Sequence, residues 1–379
     1  MENLVYLDNS ATTRPCEAAI ENINTALKST WGNPSSLYNI GFEAEQLVSS
    51  ARESVSKLLY CRADEIYFVG SGTEANNTAL LGAAYARKKR GTRIVTTAIE
   101  HPSVLETVKR LEDDGFEVIY IKPQADGSIS ESDIKAAINQ KTILVSIMLS
   151  NNETGAVLPV KAAREAIKEA GAPALLHCDG VQAFGKMPIN LAELQVDLFT
   201  ASGHKIHGPK GVGALYIKKG VTVKPLITGG GQEKGIRSGT ESVPLIYGLK
   251  GAVDSLGNIN ESLKKVKELN EYTKNILLET GLVSINSPEN ALPYILNISV
   301  EGYRSETMLH FLESQGVYVS SGSACAKGNG SYVLNEMGLP RKTVDSALRI
   351  SFSRFNTKED ADRLKSAITE ATQKLRRAN

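Results

Sequence analysis

Short apolar runs alternate with amphipathic segments along most of this chain. Seven of them begin at Glu65 (EIYFVG), Arg93 (RIVTTA), Glu117 (EVIYI), Thr142 (TILVSIML), Ala174 (ALLHCD), Asp197 (DLFTAS) and Gly213 (GALYI). They are rich in β-branched residues and too short for buried helices, so they predict buried strands. Helical patterns lie between most of them: TEANNTALLGAAYARKKR, PSVLETVKRLEDDG, SESDIKAAINQ and PVKAAREAIKEAG. Several open on a capping or N1 residue and stop near glycine. Such alternation predicts an α/β fold, a mostly parallel sheet with helices on both faces. From about Gly257 the pattern changes. A long charged helix (NESLKKVKELNEYTKNILLETG) is followed by an isolated strand (YILNISV), a helix near Ser305 to Ser314, a strand (GVYVSS) and a last helix from about Thr357. These predict a second, α+β domain.

The totals narrow the function classes. With 379 residues the chain is long enough for two domains. A formal net charge of +1 gives no electrostatic case for nucleic acid or an anionic membrane. No apolar run approaches the ~20 residues that span a bilayer. The N-terminus, MENLVYLDNSATT, lacks a basic region followed by an apolar stretch, so no signal peptide is expected. Four cysteines, Cys16, Cys61, Cys178 and Cys325, form no C-x-x-C pair and are too few for a disulfide framework. The expectation is a cytoplasmic protein with reduced thiols. One of the four stands out. Cys325 lies in SSGSACAKGNG, among small residues that cannot bury it.

In open α/β sheets ligands bind beyond the carboxyl ends of the strands. After EIYFV comes GSGTEANN, where Gly70, Ser71, Gly72 and Thr73 offer amides and two hydroxyls at a helix N-terminus. This reads as a phosphate cradle, or as an ordinary turn with an N-cap. It is neither a P-loop nor a dinucleotide G-x-G-x-x-G. After RIVTTAI comes Glu100-His101-Pro102; the proline biases His101 to extended backbone, where its ring can lie on an aromatic ligand or be a satisfied half-buried histidine. Asp179 ends a buried strand, where a carboxylate needs a cationic partner, and Gln182 follows it. Lys205, in GHKIHGPKG, is either a desolvated amine able to form a Schiff base or a surface lysine. Phosphate cradle, flat-lying histidine, carboxylate and lysine together match what pyridoxal 5′-phosphate requires.

The chain resembles the cysteine desulfurases of the NifS/IscS type, fold-type-I enzymes of the class-V aminotransferase family. The resemblance is carried by YLDNSATT, NPSSLYNIG, GSGTEANN, IEHPSV, SNNETG, HCDGVQAFGKMPI, SGHKIHGPKGVGALYI, GGGQEKGIRSGT, SSGSAC and ALRISFSR, from Leu7 to Arg354. It implies a large cofactor domain over 15–256 with a seven-stranded sheet, and a small domain of 1–14 and 257–379 with a cysteine loop at about 320–331. It implies Lys205 as the Schiff-base lysine, His101 stacked on the pyridine ring and aiding proton transfer, Asp179 at the ring nitrogen and Gln182 at the phenolic oxygen. Gly72, Thr73, Ser202 and His204 match phosphate positions, Asn152 a further cofactor contact, and Thr240 a phosphate contact supplied by the second subunit of a homodimer. Arg349 matches the clamp of the substrate carboxylate, for which a guanidinium fork is suited. Asn33, in NPSSLYNIG, is a further substrate position.

Cys325 then matches the nucleophile that takes sulfur from L-cysteine, leaving L-alanine and a persulfide for an acceptor such as an iron–sulfur scaffold or a tRNA-thiolation protein. Neither direct nucleic-acid binding nor a membrane role is implied. The family commonly has alanine at Gly72, a change expected to be neutral. The SSGSAC context favours the long-loop branch, although AKGNGSYVL is about two residues shorter than in its best-known members. The competing readings are a selenocysteine lyase or aminotransferase on the same scaffold, and a non-catalytic sulfur-carrier platform.

Overall fold

All seven apolar runs enter one sheet. A computed structural model describes residues 4–321 and 330–377. The sheet order is Ile66–Val69, Gly213–Ile217, Leu198–Ser202, Leu175–Asp179, Thr142–Ser146, Arg93–Thr97, Glu117–Ile121. Every pairing is parallel except those of Gly213–Ile217, which runs antiparallel to both neighbours. The four central strands from Thr142–Ser146 to Gly213–Ile217 are buried at all five positions, as near-continuous apolar runs in a helix-covered parallel sheet should be. The covering helices follow the amphipathic rule: Val160–Glu169 buries Val160, Ala163, Ala166 and Ile167 on one stripe.

Three helices go beyond the strand–helix pattern read above: Glu17–Ser29, Asn39–Leu59 and Val243–Asp254. The first two pack on the third. Small residues make the contact between the first and the third. A Cβ on Gly251 would stand 2.4 Å from the Ala18 carbonyl oxygen, and one on Gly248 would stand 2.6 Å from Ile23 Cγ1. The segment SESDIKAAINQ forms only Glu131–Ala137, since Ile138 turns extended.

After Gly257 the expected helices appear at Ile259–Leu278, Ser305–Ser314 and Lys358–Lys374, the last capped by Thr357 with Asp360 returning to its amide. The strand read as isolated is not isolated. Ile295–Ser299 is the centre of a three-stranded antiparallel sheet, between Ser284–Ile285 and Ala347–Ser351. Val5–Tyr6 pairs parallel with Val317–Tyr318, and Val5 and Leu7 join the apolar core built by residues 266–371. No helix among the described residues is long and apolar enough to cross a membrane.

The turn after Asp179 has no room for a side chain. A Cβ on Gly180 would lie 1.8 Å from Cζ of the fully buried Phe199. Gly180→Ala should therefore lower unfolding free energy by about 3 kcal/mol, the upper part of the overpacking range. Denaturant unfolding checks this, and an unchanged midpoint would refute the close-packing argument.

Candidate active site

A cavity of about 290 Å³ opens where the central strands end. Two neighbouring strands of the sheet and one helix supply much of its wall. Leu175–Asp179 delivers Asp179 and the turn that follows delivers Gln182; Leu198–Ser202 delivers Ser202 and the turn behind it carries His204 and Lys205; and Ser71 caps the helix Gly72–Arg87. His101, Thr73 and Asn152 line the same space. Most of the residues singled out from sequence thus meet at one cavity.

The phosphate cradle is narrower than the motif suggested. Ser71 Oγ already accepts the Glu74 amide at 3.1 Å, and the Gly70 amide donates to Glu74 Oε2 at 3.0 Å. The amides of Gly72 and Thr73 remain, at the open first turn of the helix. A Cβ on Gly72 would stand 3.0 Å from Val181 Cγ2 and 3.3 Å from Ser202 Cβ. Alanine there is thus a tight fit that Val181 must accommodate, rather than a free exchange. Three buried polar atoms of the lining have no partner among the described residues: Ser202 Oγ, Asn152 Oδ1 and Asn76 Oδ1. Such orphans are rare in a finished interior and mark where a ligand's polar atoms would go.

His101 is the N-cap of Pro102–Asp113 with extended backbone, φ −62° and ψ 147°, as its proline requires. Its Nδ1 accepts the Ser103 amide at 3.1 Å and lies 2.8 Å from Ser103 Oγ. The neutral ring therefore carries its proton on Nε2. Burial lowers the His101 pKa; Asp179 opposes this and Lys205 adds to it. Asn76 Nδ2 donates to Ser103 Oγ at 2.8 Å and to Asp179 Oδ2 at 2.7 Å, while Asp179 Oδ1 accepts the Val181 amide at 2.9 Å. One continuous network thus fixes both the imidazole and the carboxylate.

Lys205 lies under the N-terminal segment. Its Nζ donates to the carbonyls of Ser10 and Ala11, the latter at 2.8 Å. Burial pushes its pKa down to about 8, Arg349 adds to the fall, and Asp8 and Asp179 oppose it. His204 Nδ1 meets Thr12 Oγ1 at 3.1 Å, and burial takes its pKa to about 4. Arg349 is buried beside this segment, with Nη2 on Asp8 Oδ1 at 2.8 Å, Nη1 on the Asn152 carbonyl at 3.0 Å and Nε without a partner among the described residues.

Two singled-out residues sit elsewhere in the single chain. Asn33 is exposed in a turn, where its Oδ1 caps the Ser35 amide at 2.9 Å. Thr240 lines a separate hollow with Arg237 and Glu233. Cys325 lies outside the described residues.

The family description Aminotransferase class-V matches residues 5–364. The chain belongs to that family, among cysteine desulfurases of the NifS/IscS type. It is 40% identical to the cysteine desulfurase IscS of Methanosarcina thermophila, over 98% of this chain and 93% of that one. It is similar to a solved NifS-like protein with TM-score 0.93 and 38% identity, over 98% of this chain and all of that one. It is also similar to a structure described as SspA in complex with cysteine, with TM-score 0.83 and 32% identity, over 93% and 99% of the two chains. The class-V desulfurase fold implies a pyridoxal phosphate enzyme.

Several residues of the class-V site carried no reading in the sequence. Asn76 and Ser103 lie within motifs quoted above, GSGTEANN and IEHPSV, yet nothing in their type signals a bridge between Asp179 and His101. Asp8 lies in YLDNSATT, more than 300 residues from Arg349. Glu100 is fully buried with its pKa raised to about 8 by burial, against the Met148 amide and Thr97 hydroxyl that it accepts. Glu153 is buried and raised to about 7 by the same cause, opposed by Ser331 and Arg349. Lys186 is a third.

The depressed pKa of Lys205 has a direct readout. An amine reacts as the free base, so labelling of the cofactor-free protein by an aldehyde plus hydride should be half-maximal at Lys205 near pH 8. Exposed lysines should lag until about pH 10.4. Peptide mapping across pH 6 to 11 measures this, and a Lys205 midpoint with the surface lysines would remove the desolvation argument.

Proposed function

We propose that this chain is a cysteine desulfurase that converts L-cysteine to L-alanine, with pyridoxal 5′-phosphate in the cavity and Cys325 as sulfur acceptor. The observation that carries it is a desolvated lysine in a cavity lined by Asp179, His101 and three unpartnered buried polar atoms. The donor set fits the group. Gly72 and Thr73 amides, Ser202 Oγ and His204 suit a phosphate, Asp179 a protonated ring nitrogen, Gln182 a phenolic oxygen, and Asn152 a further contact. Through its aldehyde and pyridinium ring the cofactor supplies an electron sink. His101, neutral and protonated on Nε2, holds or moves a proton beside it. Arg349 takes the substrate carboxylate; Asn33, exposed in a turn, is not among the residues that line the cavity within the single chain. The Cys325 thiolate attacks the substrate sulfur and the carbon–sulfur bond breaks; its electron pair goes to carbon, which takes up the proton given up by the substrate thiol and becomes the methyl of alanine. The enzyme is left with a persulfide, which an iron–sulfur scaffold or tRNA-thiolation protein then takes.

Two features support a homodimer. Thr240 stands away from its own cavity, which suits a contact made to a second copy. Trp31, Leu37, Tyr38 and Phe42 are all more than half exposed, an apolar run that a partner would cover. The division into a 15–256 cofactor domain and a small domain of 1–14 and 257–379 is supported by the separate core that Val5 and Leu7 join. Unpaired thiols at Cys16, Cys61 and Cys178 suit the reducing cytoplasm.

The first test is alanine formation from L-cysteine with a thiol reductant, comparing the wild type with Cys325→Ala. The wild type should make alanine and the variant should not. Alanine from both would remove Cys325 from the mechanism. Turnover of selenocysteine alone would assign the lyase reading. Arg349→Ala should raise KM for L-cysteine by about 10- to 100-fold, the worth of a hydrogen bond to a charged group; an unchanged KM would take Arg349 out of the substrate site.

A further inference from the structure

Lys186 is a buried cation to which the chemistry above gives no task. It is 4% exposed, and among the described residues it has no ion-pair partner. Its Nζ donates to Gln182 Oε1 at 3.1 Å and stands 5.8 Å from the Tyr294 ring centre. Burial, then Lys205 and Arg349, bring its pKa down to about 7. A buried ammonium without a counter-ion is costly, and an apolar side chain of its length would fill the same space with less strain on stability. Space-filling alone does not account for it.

The bond it makes is directional. Gln182 is also buried, and its Nε2 donates to the Ser10 carbonyl at 3.0 Å. That carbonyl is shared with Lys205 Nζ. Turning this amide over would take Oε1 away from the amine and set it against the Ser10 carbonyl, acceptor against acceptor. A small cavity of about 20 Å³ has both Lys186 and Lys205 in its lining, together with Tyr294 and Arg354. The other charged or titratable groups in electrostatic contact with these two amines are Arg349, His101, His204, His207, Asp8 and Asp179.

We propose that Lys186 is a positioning residue that acts through Gln182: by holding Oε1 it keeps Nε2 as the group offered to the phenolic oxygen of pyridoxal phosphate. This rests on the cofactor reading of the cavity. A donor at that oxygen stabilises its anion, so losing the donor makes deprotonation of the bound chromophore harder and moves its midpoint to higher pH.

The test is a pH titration of the visible absorbance of the protein loaded with pyridoxal phosphate. Lys186→Met and Lys186→Arg are each made with Gln182 present and in Gln182→Leu. With Gln182 present, Lys186→Met should raise the midpoint by about one pH unit. Lys186→Arg should stay near the wild type. In Gln182→Leu, Lys186→Met should add no further shift, as a double-mutant cycle requires of a residue acting through another. Thermal melting of Lys186→Met should match or exceed the wild type; should that variant not fold, Lys186→Leu makes the same comparison. An unmoved midpoint overturns the proposal, and so does an equal shift in both backgrounds, which a bare charge effect would give. A wild type that gains no visible absorbance overturns the cofactor reading and this inference with it, whereas a titrating wild type with an unmoved Lys186→Met overturns the inference alone.

Discussion

The candidate site depends on the contact between Lys205 and the N-terminal segment. An amine can be reactive at neutral pH only if its charged form is disfavoured, and burial is the means used here. Burying it requires a cover, and the cover is not a neighbouring loop of the sheet. It is residues 8–13, near the start of the chain and almost 200 residues before the lysine. Ser10 and Ala11 give carbonyls to the lysine, Thr12 meets His204, and Thr13 bonds the His204 carbonyl and the His207 amide. These carbonyls satisfy the amine without supplying a negative charge, so they hold it in place while leaving its pKa low. His207 adopts φ +66°, an uncommon conformation for a residue with a side chain. The strain is met by this same set of bonds, which shows how tightly the lysine turn is tied to the segment above it.

The charges around this contact are unbalanced. Lys205, Lys186 and Arg349 face Asp8 and Asp179, and of these the close ion pair is Arg349 with Asp8. Asp179 is held by neutral donors, Asn76 and the Val181 amide, which leaves its charge directed at whatever enters the cavity. The surplus of cations suits ligands that carry phosphate and carboxylate. The guanidinium is not bare: it is paired with Asp8 at 2.8 Å, so a carboxylate taken by Arg349, as proposed, would compete for the fork instead of filling a gap.

What was legible in the sequence was whatever depends on local pattern. Seven strands were readable because both faces of a covered sheet are apolar, and the cradle, His101, Asp179 and Lys205 were readable because each follows a strand. The helices Glu17–Ser29 and Val243–Asp254 were not, because Gly248 and Gly251 make their contact by lacking side chains; Asn39–Leu59 does carry a helical stripe, Ala44, Val48, Ala51, Val55 and Leu59, but stands outside the strand–helix alternation. The central place of Ile295–Ser299 was hidden because its partner Ala347–Ser351 lies some fifty residues on. Asn76, Ser103, Asp8 and Lys186 share one reason. Their roles are defined by partners in space, and a polar residue within a motif carries no mark that tells a bridge from a cap.

The same geometry relates Arg349 to the segment in which Cys325 lies. On the entering side, Ser320 and Arg349 exchange backbone hydrogen bonds at 3.1 and 2.7 Å. On the leaving side, Ser331 donates to Glu153 Oε2, and the neighbouring residue Asn152 gives its carbonyl to Arg349 Nη1. Residues 320 and 331 are thus both fastened to the surroundings of one guanidinium. A group that bound Arg349 in place of Asp8 would lie next to both of these anchors. Both described flanks of the Cys325 segment therefore meet around Arg349, the residue proposed to take the substrate carboxylate.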